Sequence, residues 1–487
     1  MVHHSDEQTP LLPEHEHDYG HDDRELVEFC KGDGGNPRNW GKWRKLINIG
    51  VIATMAVLSP LASSMFAPGI QKIAKSLETS ESSVIACQTG FVIMLGVGPL
   101  VLAPLSETFG RKKLYLVCFS AFSLLQIPTA LAPNIKVLIT LRTIAGFFGS
   151  IGIANGGGTI SDMYAPSERA GIFGWYLLGP LLGPTLGPLL GGLIMQHLDW
   201  PWIFWILTMI CTVNVTLGIL FLKETYVPVL LAQRKRELEE TKGGSYYYEG
   251  EDDTTLSLKV WHAFQRPIRI LFTQPIVLIM ATYQALIFAT TYSLYTQFNT
   301  IYGDGPDGYG FNILQVGLLY LFPGLGFIVA VLFLVPRIDV IFNALTRKHN
   351  GHSQPEFRLP LANLGALLIP IALLWFAWSV ERHAHWAVSI LSTFFYGIGQ
   401  VVIFNTTQNY YIDAFERYAA SAIAAGALFR SLVGGVIPVL IPSLFDRVGY
   451  GWGISAFAFT AVLLAPTPLV FYRYGAKLRE KFAIDLR

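Results

Sequence analysis

The sequence predicts an all-α membrane protein of twelve transmembrane helices, arranged as two six-helix bundles. Three observations predict it. The first is composition. Charged residues make up 14% of the 487 and hydrophobic ones 52%, against about 25% charged in a soluble globule, and mean hydropathy is +0.44. The second is the recurrence of uncharged apolar runs, each near the roughly 20 residues that cross bilayer hydrocarbon. The third is the placement of basic residues. With a cytoplasmic N-terminus, Lys72, Lys75, Lys136, Arg382 and Arg447 fall outside, and Arg142 and Arg430 fall within spans. The remaining 28 of 35 Lys and Arg (35 less 5 less 2) face the cytoplasm, the bias that sets orientation. Both termini are therefore expected inside.

Residues 1–45 form the expected cytoplasmic tail. Its first 40 residues are rich in Asp, Glu and His, a composition that does not fold alone, so disorder is expected. His3, His4, His15, His17 and His21 read as solvated rather than metal-binding, and Glu7–Leu12 (EQTPLL) has the form of an acidic dileucine sorting signal.

The N-terminal bundle is expected over 46–222, with helices at about 46–66, 84–105, 114–132, 136–160, 171–195 and 202–222. APLSETFGRKKL, Ala103–Leu114, joins the second and third. Gly110 allows a tight turn there, and Arg111, Lys112 and Lys113 anchor it at the cytoplasmic surface. Glu107 sits near a helix C-terminus, where the dipole disfavours an anion, so it needs a partner. In the fourth span Arg142 lies too deep to snorkel fully. An arginine there is costly, so it is expected to face protein or a water-filled cavity.

The fifth span reads GPLLGPTLGPLLGG, Gly179–Gly192. Glycine recurs at Gly179, Gly183, Gly187 and Gly191, and proline at Pro180, Pro184 and Pro188. Four-residue spacing puts them on two adjoining helical stripes. Glycines let a neighbouring helix approach closely, and each proline removes a donor and bends the helix. Gly183, Pro184, Gly187, Pro188, Gly191 and Gly192 are its candidate functional positions. Trp200, Trp202 and Trp205 suit the interface opposite the basic one.

A linker of mixed charge follows over 223–274, with a short surface helix expected at Arg234–Glu240 and a flexible acidic stretch at Gly243–Asp253. The C-terminal bundle is expected over 275–473, with helices at about 275–298, 313–335, 359–380, 385–410, 418–441 and 453–473, then a cytoplasmic tail over 474–487. Arg430, in AGALFRSLVGG, lies about as deep in the eleventh span as Arg142 in the fourth.

No Asp, Glu or His falls in the middle of a predicted span; Asp162, Glu224, Asp339 and Asp413 sit at cytoplasmic ends. Candidate lining residues are Gln88, Asn155, Tyr283, Gln284, Tyr292, Tyr295, Gln297, Gln400, Asn405 and Gln408, with Tyr292, Tyr295 and Phe298 near the outer end of the seventh span. Two embedded arginines without a carboxylate suit an anionic or neutral polar ligand better than a bare cation, although aromatic faces also hold cations.

Other chemistry finds no footing. Cys30, Cys87, Cys118 and Cys211 give no disulfide framework or metal spacing. No nucleophile set, metal-ligand cluster or phosphate loop is visible, so no enzyme, cofactor or metal is expected. A net charge of +1 brings no bulk attraction to nucleic acid. The N-x-T sequons at Asn214 and Asn405 lie in predicted helices, so glycosylation is not expected.

Three constellations together resemble the major facilitator superfamily. APLSETFGRKKL is similar to its loop between helices two and three, with Ala103, Glu107 and Thr108 where that motif has glycine, aspartate and arginine. Arg142 with Gly146 resembles the helix-four motif tied to proton coupling. GPTLGPLLGG resembles the helix-five motif of antiporters, and LKETY, Leu222–Tyr226, the end of helix six in drug:proton antiporters. NPRNWGKWRK (Asn36–Lys45), YIDAF from Tyr411 and ASAIAAGALFRS from Ala420 are similar to segments of fungal members. The resemblance covers about 36–480 and points to the twelve-helix drug:proton antiporters.

That resemblance implies two halves around one midplane cavity, exposed to each side in turn as they rock. It implies that helix five limits leak by packing against the other half. Glu107, Gly110, Arg111 and Lys112 would form a cytoplasmic latch, and Arg142, Arg430, Gln88, Asn155, Tyr283, Tyr292 and Asn405 would serve substrate or coupling. Partners would be a small-molecule substrate, protons and the bilayer, for a monomer in the plasma membrane; the dileucine form leaves the vacuolar membrane open. Three functions stay open: efflux of drugs, toxins or secondary metabolites, dedicated export of a metabolite such as an organic acid, and a nutrient sensor on a transporter body.

Overall fold

A computed structural model of the chain describes residues 25–30, 32–164, 166–248, 251, 255–305, 308–415 and 419–482. The dileucine form and the five tail histidines lie outside them. Among the described residues, eleven helical runs are long and apolar enough to cross a membrane.

The first six runs follow the expected order. They are α1 (Lys42–Ser64), α2 (Glu81–Phe109), α3 (Arg111–Ala130), α4 (Ile135–Met163), α5 (Pro166–His197) and α6 (Pro201–Phe221). Start signals match the chemistry: Ser80 and Asn134 accept the backbone N–H of Ser83 and Val137 at the heads of α2 and α4, as N-caps do. α5 runs unbroken through Pro180, Pro184 and Pro188.

Two helices fill the linker, α7 (Val227–Lys242) and α8 (Leu256–Thr273). α7 is longer than the expected short helix. The C-terminal half then holds α9 (Pro275–Tyr302), α10 (Ile313–Lys348), α11 (Ala362–Glu381), α12 (Trp386–Ala414), α13 (Ala419–Leu464) and α14 (Thr467–Lys481). α10 passes through one π-type turn at Ala330–Leu334 and runs on past the expected end at 335.

The eleventh run, Ala419–Lys481, has 63 residues, about 95 Å if straight and so far beyond one bilayer. It turns at Gly449, where φ is 76°, a value glycine adopts freely. Gly451 N–H donates to Glu381 Oε2 at 2.8 Å, fixing the turn. The run therefore has two limbs, one on each side of Gly449.

Each half has its own core. Met55, Phe91, Phe119, Phe122 and Phe204 belong to the N-terminal one; Tyr283, Phe298, Tyr320 and Phe376 belong to the C-terminal one. The halves meet along α2–α13 and α5–α10.

Part of the stretch expected to be disordered, residues 25–30 and 32–40, is described with partners elsewhere in the chain. Glu25–Leu26 (β1) pairs in parallel with Tyr246–Tyr247 (β2), inside the stretch expected to be flexible. Val27 and Phe29 pack against Leu231 and Tyr246. Asp33 accepts from Gly35 N–H at 2.8 Å and from Arg234 Nη1 at 2.6 Å, and these bonds, Gly35's first, hold its carboxyl below its ordinary value of 3.8. The apolar residues find their partners in the linker, some 200 residues away, and so do not need to fold alone.

Candidate functional site

Three features build the site: an ionic knot at the end carrying Arg111, here called the basic end; a glycine-lined seam; and a polar interior with one buried arginine, Arg142, and one half-buried, Arg430.

The knot forms because α2 and α3 are separated by a single glycine. Gly110 has φ 96°, and a β-carbon there would stand 2.6 Å from Glu224 Oε2. α3 has no side-chain cap of its own. Glu224, just beyond α6, supplies one: its carboxylate accepts Arg111 N–H at 2.9 Å and Lys112 N–H at 3.0 Å, an anion at a helix N-terminus. Arg111 Nε meets Asp162 Oδ2 at 2.9 Å, and its Nη1 donates to Ser106 Oγ at 2.9 Å. Glu107 is exposed and has no hydrogen-bond partner among the described residues. The carboxylates that hydrogen-bond within this knot are Asp162 and Glu224. Glu107 stands within electrostatic reach of Arg111 without bonding it, while Arg111 is held by Asp162 and Ser106.

Helix five meets the other half as expected, but most of its glycine stripe faces its own half. β-carbons at Gly183 and Gly187 would stand 2.9 Å from Pro60 Cβ and 2.6 Å from Leu61 O, and one at Gly191 would overlap Met65 O. All three face α1 or the residue following it, in the same half. Contact with the other half falls to the neighbouring stripe: Gly192 against Ile313 O, and Pro188 O and Leu189 against Gly317 of α10. Periodicity set the stripe correctly; one residue, about 100° round the helix, changes the neighbour.

Arg142 is fully buried. Its Nη2 donates to Ala62 O at 2.9 Å, and its guanidinium lies 4.3 Å from the Phe91 ring and 5.2 Å from Phe66. The void beside it measures about 10 Å³, the lower limit for one water. Arg142 is therefore walled by protein, with Nε and Nη1 unpartnered beside that small void. Arg430 lies in the other half, 5.7 Å from the Phe288 ring and 5.3 Å from Phe404, with Nε unpartnered. The two arginines share none of these neighbours.

The remaining candidates divide. Gln88 and Asn155 are buried with both amide atoms unpartnered, and so is the Tyr283 hydroxyl. Tyr292 stacks edge-on with Phe288 and its hydroxyl meets Ser63 Oγ of α1 at 3.3 Å, across the halves. Asn405 is half-buried and donates to Val401 O of its own helix. Of the residues expected to gate, Tyr292 alone reaches Ser63; Tyr295 and Phe298 stack with Tyr320 inside the C-terminal core.

A sequence model of the Major Facilitator Superfamily matches residues 52–438. The chain belongs to the Major Facilitator Superfamily. It is 37% identical over 449 residues to "MFS transporter cpaT" of Aspergillus oryzae, covering 92% of this chain and 90% of that protein. It is 37% identical over 463 residues to "Efflux pump radE" of Floropilus chiversii, covering 93% and 85%. Its structure is similar to the inward open conformation of the xylose transporter XylE from E. coli, with TM-score 0.64 over 87% of this chain and 95% of that one. At 14% identity that likeness concerns the fold.

This superfamily member carries a second knot that the sequence reading missed. Arg358, in the turn between α10 and α11, bonds Asp413 Oδ2 at 2.7 Å and also meets Asp339. Buried Glu356 is held by Arg479 Nε and Nη2 at 2.9 and 3.0 Å. Arg358 and Asp413 stand 55 residues apart, Arg111 and Asp162 stand 51. Setting one half against the other would have found the pair.

Proposed function

We propose that this chain is a fungal efflux carrier that exports toxins or secondary metabolites by alternating access, in exchange for protons. It works as a monomer in the plasma membrane, with both termini cytoplasmic. The observation that carries this reading is closure at one end. Ser63–Tyr292 and Thr89 Oγ1–Gly435 O, at 3.3 and 2.6 Å, join the halves, and both lie remote from the basic end. Each ionic knot stays within one half. Rocking the halves exchanges the closed end for the open one. A relative named as an efflux pump supports the outward direction.

A dedicated organic-acid exporter is the second reading. Arg430 favours it: an arginine with a free Nε between two aromatic rings suits a carboxylate on an apolar body, held by a charge-assisted bond. The test is proton flux in vesicles loaded with a pH-sensitive dye and containing the reconstituted full chain. Organic acids, neutral toxins and cationic dyes are added in turn. Protein-dependent proton movement opposite to cargo supports exchange. Cargo movement without protons leaves a facilitated exporter and removes the antiport.

A further inference from the structure

We propose that α8 docks on the headgroup surface of the bilayer and binds acidic phospholipid there. α8 carries Lys259, His262, Arg266 and Arg269 and no Asp or Glu. At about 100° per residue its side chains sort onto three faces. Pro267, Ile270 and Leu271 are buried, and the last two pack with Ile276, Val277, Ala422 and Ala425 of the C-terminal half. A second stripe, Leu258, Trp261, Ile268 and Phe272, is exposed at 43, 63, 39 and 70%. His262, Arg266 and Arg269 are exposed on the flank beside that stripe.

An exposed apolar stripe bordered by cations is the pattern of a helix lying in the plane of the interface. The position of α8 matches. Thr273 leads through Gln274 straight into Pro275, the first residue of membrane-spanning α9. α8 also touches α2 and α13, and Lys259 stands within electrostatic reach of Glu107 at the last turn of α2. The helix therefore lies at the hydrocarbon boundary, where Trp is favoured. Charge complementarity selects the occupant. A zwitterionic leaflet gives the basic flank no net counter-charge and so holds the stripe only shallowly; acidic lipid draws flank and stripe in together.

α8 bridges the two halves, since α2 belongs to one and α13 to the other. Lipid held on α8 thus bears on how the halves separate at the basic end.

The test uses the full chain in nanodiscs of phosphatidylcholine alone or with about 30% phosphatidylserine, enough to set a negative surface potential. An environment-sensitive fluorophore is attached at Ile268→Cys in a Cys30→Ser background; Cys87, Cys118 and Cys211 are buried. The expected result is a blue-shifted emission with phosphatidylserine. The shift falls by roughly half or more at high salt, which screens exposed charges. It is also lost in Arg266→Gln/Arg269→Gln protein that keeps its gel-filtration profile. Identical emission in both lipids, or an unchanged shift in the double variant, overturns the proposal. A label that stays in water in both discs does so too, and leaves the face to another protein.

Discussion

Glu224 accepts the backbone N–H groups of Arg111 and Lys112, so the start of α3 is capped by a carboxylate from beyond α6. The same carboxylate also accepts Thr225 and Tyr226 N–H at 3.0 and 2.9 Å. Glu224 thereby joins the turn between α2 and α3 to the start of the linker.

Glu224→Gln is expected to lower thermal stability, because charge-assisted bonds to two helix N–H groups weaken together. The loss should be about 1–3 kcal/mol. Glu107→Gln should leave stability unchanged. Paired melting curves in detergent check this; an equal drop in both variants would return the role to Glu107.

The glycine seam separates folding from movement. Gly191→Ala forces a methyl into Met65 O within one half, and overpacking of this kind costs about 1–3 kcal/mol. It should reduce the yield of monodisperse protein. Gly192→Ala presses on Ile313 O of the other half and should leave yield intact while slowing flux. Gel filtration and flux on both variants decide; reversed phenotypes would place the moving contact on α1.

Arg142 holds the carbonyl next to Ser63, and Ser63 meets Tyr292 in the other half. Arg142→Met keeps bulk but loses the bond. Flux should fall about tenfold or more, corresponding to about 1.4 kcal/mol or more, with the protein still folded by gel filtration. Normal flux would make Arg142 a packing residue alone.

These contrasts also mark what the sequence could reveal. Span length and the four-residue glycine period are local signals, and both appear in the fold. The partner of Glu224 lies 113 residues away, and no local pattern encodes that pairing. Period alone likewise places Gly191 on a stripe without saying that α1 lies opposite. Asp33 was hidden in an acidic tail because its partner, Arg234, sits in the linker.

The clip between tail and linker should respond to pH. The Asp33 carboxyl titrates below 3.8 in the folded chain. Its contribution is therefore complete at neutral pH and fades as pH falls through that lowered value. Amide exchange of residues 25–40, corrected for intrinsic rate, should be slow at neutral pH and speed up only below 3.8. Asp33→Asn should exchange fast at both. Protection that persists in the variant would assign the clip to Val27 and Phe29.

The measurement closest to the central claim is counterflow through the full chain in proteoliposomes, with and without a pH gradient. Organic acids, neutral toxins and cationic dyes are compared in parental and Arg430→Gln protein. The account predicts gradient-driven flux of acids or neutral polar compounds, with the acid component lost in Arg430→Gln. Flux that ignores the pH gradient would contradict it, and acid flux unaffected by Arg430→Gln would remove the organic-acid reading.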